Sequence, residues 1–93
     1  MNGLLPRPGM MCLSKMGRDK GRYFIIVSVI DENYVTIADG TLRKLAAPKK
    51  KKVKHLDLKP VVLEGVAQKL EAGTKIFDSE LRSAILGSVY FKD

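Results

Sequence analysis

An apolar stretch around residues 10–16 breaks at Gly17-Arg18-Asp19-Lys20-Gly21 and resumes as Tyr23-Phe24-Ile25-Ile26-Val27-Ser28-Val29-Ile30. This pattern predicts two strands joined by a basic turn, which Gly17 and Gly21 can form because glycine accepts positive φ angles that other residues resist. The 23–30 run is apolar at consecutive positions, so it needs cover on both of its faces. Residues 34–38 alternate, with Val35 and Ile37 on one side, and Asp31-Glu32-Asn33 makes a tight connection into them. Asp39-Gly40 is a hairpin signal, and the spacing predicts a short basic strand at Leu42-Arg43-Lys44-Leu45 after it. A loop centred on Pro48 follows, then a further strand over residues 52–58 with Leu56 and Leu58 on one face and His55 on the other. Five short strands with tight turns predict a small β-barrel.

From Pro60 the period changes. Leu63, Val66, Ala67 and Leu70 fall at helical spacing with Gly73 as the stop. Asp78 is placed to N-cap a second short helix whose apolar side is Leu81, Ala84 and Ile85, with Gly87 at its end. Residues 88–93 are ambiguous. The expected organisation is a mainly β domain over residues 1–60 and a two-helix tail over residues 61–93 packed on it.

A chain of 93 residues bounds the protein to one domain with a modest core. No apolar run approaches the roughly 20 residues that span a bilayer, and residues 1–10 lack the apolar centre of a secretory signal. The expected address is the cytoplasm, without a membrane. The single cysteine, Cys12, has no partner for an internal disulfide, and with His55 as the single histidine no structural zinc site can be built. Cys12 reads as a small apolar filler.

The net charge of +7 is unevenly spread. Residues 1–60 carry 13 Lys and Arg against 5 Asp and Glu, a balance of +8, and residues 61–93 carry 4 against 5, a balance of −1. Such an excess bears on partners rather than fold, and nucleic acid is the common polyanion for a small basic protein.

The candidate cations are Arg18, Lys20 and Arg22 at the first turn, Arg43 and Lys44, and the run Lys49, Lys50, Lys51, Lys52 with Lys54. Each has a plainer reading as a solvated charge, and the lysine run in particular as a solvated loop. Crowded like charges repel one another, however, and an RNA backbone would relieve that repulsion by releasing condensed counterions. Pro48 followed by lysines also matches a nuclear import signal, against which its place between predicted strands argues. Tyr23, Phe24 and Tyr34 could stack on bases, but burial is expected for Phe24 and partial exposure for Tyr34. His55 reads as a structural residue before a phosphate ligand. Asp31, Glu32 and Asp39 sit where turns favour acidic residues, so a catalytic carboxylate pair is not expected. No phosphate-loop, nucleotide-fold or hydrolase signature is present.

Gly17-Arg18-Asp19-Lys20-Gly21, Val29-Ile30-Asp31, Ile37-Ala38-Asp39-Gly40, Arg43 and Lys54-His55-Leu56 together resemble the KOW-motif RNA-binding proteins. The branch is that of short bacterial relatives of the archaeal and eukaryotic large-subunit ribosomal protein family fourteen. The resemblance covers residues 9–58, and the two helices look like the tail of those relatives. It implies an SH3-like five-stranded barrel that binds ribosomal or other structured RNA in the translation apparatus through the first basic turn and neighbouring loops. Many KOW motifs carry a further glycine after the lysine-glycine pair, where this chain has Arg22-Tyr23-Phe24, as the ribosomal branch tends to have bulky residues there. The reading is thus a non-enzymatic RNA binder without cofactor, metal or small-molecule substrate. Its alternative is a KOW-type adaptor that docks a protein of the transcription or translation machinery.

Overall fold

The structure, a computed structural model, describes residues 3–88. Five strands form one antiparallel sheet: β1 (Met10–Ser14), β2 (Tyr23–Val29), β3 (Tyr34–Ala38), β4 (Lys49–Lys52) and β5 (Leu56–Val62). Two helices follow, α1 (Glu64–Ala72) and α2 (Asp78–Leu86). No helix among the described residues is long and apolar enough to cross a membrane.

The strand order is β4-β3-β2-β1-β5, so the two edge strands are neighbours in sequence, joined by the 3-10 turn Val53–His55. The ladder shifts register between Ile26 and Ser28 and between Met10 and Cys12. Such bulges bend a strand and increase its twist, which helps a sheet curl.

Side-chain alternation divides the core in two. Cys12 pairs with Phe24, and both belong to one buried cluster with Met10, Ile26, Val35, Ile37, Leu56 and Leu58. All of these come from the one sheet, and Leu4 and Val53 pack against them from outside its strands. Met11 pairs with Ile25 on the opposite face, where they pack with Ala38 and with Val66, Leu81 and Ile85 of the helices. The cover expected for the 23–30 run is supplied over its first part by the sheet itself and by α1 and α2, whereas Val29 and Ile30 at its end are exposed. Cys12 is fully buried, and desolvation pushes its thiol pKa up to about 12, partly offset by Lys51. It is an inert filler.

The predicted boundaries differ from the observed ones in the middle of the chain. No strand forms at residues 42–45, where the chain runs as an irregular loop. The carboxylate of Asp39 accounts for this: its Oδ1 accepts the Thr41 and Arg43 N–H groups at 3.0 and 2.8 Å, diverting backbone donors from any ladder. The fourth strand is the lysine run, read from sequence as part of a loop. Residues 53–55 form the 3-10 turn rather than extended chain, and β5 continues through Pro60 to Val62, beyond the expected change of period. Proline fits there because β5 is an edge strand.

The helices begin and end largely where their patterns place them, but the second is capped differently. Phe77 is the N-cap of α2, and its N–H donates to Glu80 Oε2 at 2.7 Å. That bond and the Lys69 ammonium hold the Glu80 carboxyl below the usual carboxylate range, with the lysine the larger cause. Asp78 instead reaches across to accept the Leu45 N–H at 2.8 Å, tying α2 to the loop after β3. Gly73 closes α1 in the left-handed conformation, as its position predicts. Gly9 permits a close approach, because a Cβ there would lie 2.5 Å from the Ala67 Cβ. The α1 helix therefore rests directly on the backbone leading into β1. Of the residues whose sequence pattern was ambiguous, 89–93 lie outside the described residues, while the Ser88 hydroxyl donates to Ile85 O.

Candidate functional site

The turn between β1 and β2 is built as its glycines require: Gly17 and Gly21 have φ of +83° and +87°. Lys20 N–H donates to Gly17 O at 3.2 Å, and Gly21 N–H donates to Ser14 O at 2.8 Å, closing the turn onto the end of β1. Arg18 and Lys20 stand exposed on it with no ion-pair partner among the described residues.

Asp19, between them, points the other way. It is 1% exposed, and its two oxygens accept from Arg43 Nε and Nη2 at 3.2 Å each. A second pair lies alongside it: Arg22 Nη2 donates to Asp39 Oδ2 at 3.2 Å. Asp39 is itself 6% exposed and holds the backbone of its own loop. The basic turn is thus clamped to the loop after β3 by two arginine–carboxylate pairs. That loop is in turn fixed to α2 by Asp78 and by Arg82, whose Nη1 donates to Gly40 O at 2.6 Å. Arg22 and Arg43, two of the cations singled out from the sequence, are supports of this clamp. Lys44 is exposed in the same loop.

The lysine run alternates like any strand. Lys51 pairs with core residue Val35 and so faces inward, while Lys50 and Lys52 pair with Thr36 and Tyr34 on the other face. Lys51 is only 9% exposed; its stem lies along the core edge and its Nζ donates to Met16 O at 2.8 Å, beside Gly17. This bond brings β4 against the first turn, with Lys50 and Lys52 on the other face of the strand. Lys50 Nζ stands 4.6 Å from the centre of the Tyr34 ring, a cation–π interaction. Lys49, Lys52 and Lys54 are exposed.

His55 sits in the 3-10 turn directly after β4, its carbonyl accepting the Lys15 N–H at 2.9 Å. Its pKa is lowered, first by desolvation and then by the charges of Lys54, Lys52, Lys51 and Lys15. These lysines come from the end of β1, from β4 and from the turn itself, so the positive field at this end has contributions from several elements. Lys15 has no signal in the sequence, since a lone lysine after an apolar stretch gains meaning only once β1 and β5 are paired. Nor does the sequence assign Asp19 and Asp39 to the clamp, because pairing across 24 and 17 positions has no periodic signature.

The aromatic expectations separate in the structure: Phe24 is fully buried and Tyr34 is half-buried. Asp31 has its turn role, Oδ1 accepting the Asn33 and Tyr34 N–H groups at 2.8 and 2.9 Å. Among the described residues, no three of His, Cys, Asp and Glu gather into a group able to hold a metal ion. The arrangement offers fixed donors and positive charge, suited to holding an anion. No protein-family model matches the chain.

Proposed function

We propose that this chain is a non-enzymatic RNA-binding protein of the translation apparatus, contacting ribosomal or other structured RNA through its basic first turn and lysine-rich strand. The observation that carries this reading is the junction at Lys51. Its bond to Met16 O brings the turn bearing Arg18 and Lys20 against the strand bearing Lys49, Lys50 and Lys52, with Lys54 beyond. Regularly placed lysines act as point charges along a phosphate backbone, and exposed Arg18 can engage one phosphate with two donors. Such interactions position an RNA and carry little sequence information.

The KOW resemblance and the implied SH3-like barrel belong to the same reading. Their support is a five-stranded antiparallel sheet whose edge strands are linked by a three-residue turn and one side of which carries a buried cluster drawn from all strands but β4. A partly open small barrel is built from such a sheet. Within the proposed site Arg18, Lys20, Lys44, Lys49, Lys50, Lys52 and Lys54 contact RNA, while Arg22, Arg43 and Lys51 hold the surface in shape.

The test is an RNA-binding titration over a range of salt concentrations. Log affinity should fall linearly with log salt, as counterion release requires. Salt-insensitive association with a protein, without RNA binding, would favour the adaptor role instead.

A further inference from the structure

An open groove of about 850 Å³ lies where the end of β1, the start of β3, the 3-10 turn and β5 meet. It is of the size of small-ligand clefts, roughly 300 to 1,000 Å³. Leu4, Val53, Leu56 and Leu58 give it apolar lining, and Tyr34 borders it. Lys15, Lys52 and Lys54 line it too, together with the carboxylates of Glu32 and Asp57. Asp57 is engaged by Lys59 Nζ at 2.7 Å, so the groove retains a positive balance.

Backbone bonds fix its walls. Val53 N–H donates to Asn33 O at 2.8 Å, joining the 3-10 turn to the connection before β3, and Lys15 N–H donates to His55 O at 2.9 Å. A site for phosphate alone gains nothing from an apolar floor, and a site for an apolar group gains nothing from three lysines. A nucleotide uses both, with a flat base that stacks and a charged phosphate.

We propose that this groove holds one unpaired nucleotide of a single-stranded RNA segment, its base against Leu4 and Val53 beside Tyr34 and its phosphates among Lys15, Lys52 and Lys54. The assignment rests on the RNA-binding function proposed above and adds to it a preference for an unstacked base over a duplex. His55 provides a built-in reporter. It adjoins the groove residues Lys54 and Leu56 in the chain, and its pKa is lowered by desolvation and then by the charges of Lys54, Lys52, Lys51 and Lys15, with Glu32 and Asp57 bordering the groove from the connection before β3 and from β5. Phosphates placed among those lysines offset the repulsion that disfavours the imidazolium, so the His55 pKa rises on binding. Binding therefore takes up a proton, and affinity increases as pH falls through the range in which His55 titrates.

The experiment uses the full chain with three probes: hexauridylate, an abasic ribose-phosphate chain of equal length, and an RNA duplex. Affinity is measured for each, and the ring resonances of His55, the single histidine, are titrated with and without hexauridylate. Hexauridylate should bind roughly fivefold or more tightly than the abasic chain, the effect expected of one stacked base. The His55 pKa should move upward in the complex. Tyr34→Leu should remove the advantage over the abasic chain. Equal affinity for hexauridylate and the abasic chain, with an unmoved His55 pKa, overturns the groove assignment even if the duplex binds with strong salt dependence. Failure of all three probes to bind overturns the RNA-binding function and the groove with it.

Discussion

Arg22 and Arg43 look alike in the sequence, yet the structure gives them different weights. Arg43 is 28% exposed and holds a carboxylate that is 1% exposed; Arg22 is 47% exposed. Arg43→Ala leaves Asp19 buried without its cation, and should cost roughly 3 kcal/mol, the low end for a broken buried pair because the arginine keeps some solvent. Arg22→Ala should cost less, about 1 kcal/mol, because the arginine is half exposed and the buried Asp39 keeps its bonds from the Thr41 and Arg43 N–H groups. Urea denaturation of both variants, read as a midpoint shift at constant slope, checks the contrast. At the turn, Gly21→Val meets no neighbouring atom but requires a positive φ, so strain alone should destabilise the protein by roughly 1 to 3 kcal/mol. These glycines were legible in the sequence because the basic turn sits between two apolar stretches. The clamp was not, because a carboxylate that finds its arginine through the fold has the same local surroundings as one that does not.

Among the elements, β1 and β2 were legible as continuous apolar runs and β3 by its alternation, and their connections carry turn residues, Asp31 bonding back to the Asn33 and Tyr34 amides among them. The fourth strand was not. Four consecutive lysines have no hydrophobic period, and they become a strand through pairing with β3, with Lys51 inward and Lys50 and Lys52 outward. Lysine suits such an edge, since its charge also discourages pairing with another chain. The alternation separates two roles that composition merges. Changing Lys49, Lys50 and Lys52 to Gln should flatten the logarithmic salt slope of single-stranded RNA binding by about 0.7 for each phosphate that is no longer neutralised. Lys51→Gln should instead lower the thermal midpoint, because the ammonium bond to Met16 O that ties β4 to the first turn is gone. The neighbouring turn adds a pH dependence. His55 has a lowered folded-state pKa, so above its ordinary value of 6.5 it is neutral in both states and contributes nothing. As pH falls below that value the unfolded chain takes up the proton first, and stability declines towards the folded pKa. His55→Asn should reduce this acid-side decline, measured by thermal unfolding across the pH series.

Across the whole molecule, the helices are one of the two layers that bury the sheet. Leu81 is fully buried with Met11, Ile25 and Ala38 beneath it, so Leu81→Ala should destabilise the protein by roughly 2 to 5 kcal/mol. Removal of residues 61–93 should unfold the sheet, because Ile25 and Met11 would then face water. The division of charge into a basic first part and a near-neutral tail has its structural counterpart here. The helices cover one face, while Arg18, Lys20 and the exposed lysines of β4 stand on the turn and edge strand. The central claim is that this surface binds RNA by charge placed on a rigid turn. The most direct test is RNA affinity at low and high salt for the native chain and for the double variant Arg18→Ala with Lys20→Ala, alongside thermal unfolding of both. Neither side chain has an ion-pair partner among the described residues, so the midpoint should barely move, while affinity at low salt falls by roughly tenfold or more with a shallower salt slope. Undiminished affinity in a double variant that remains folded would contradict the account.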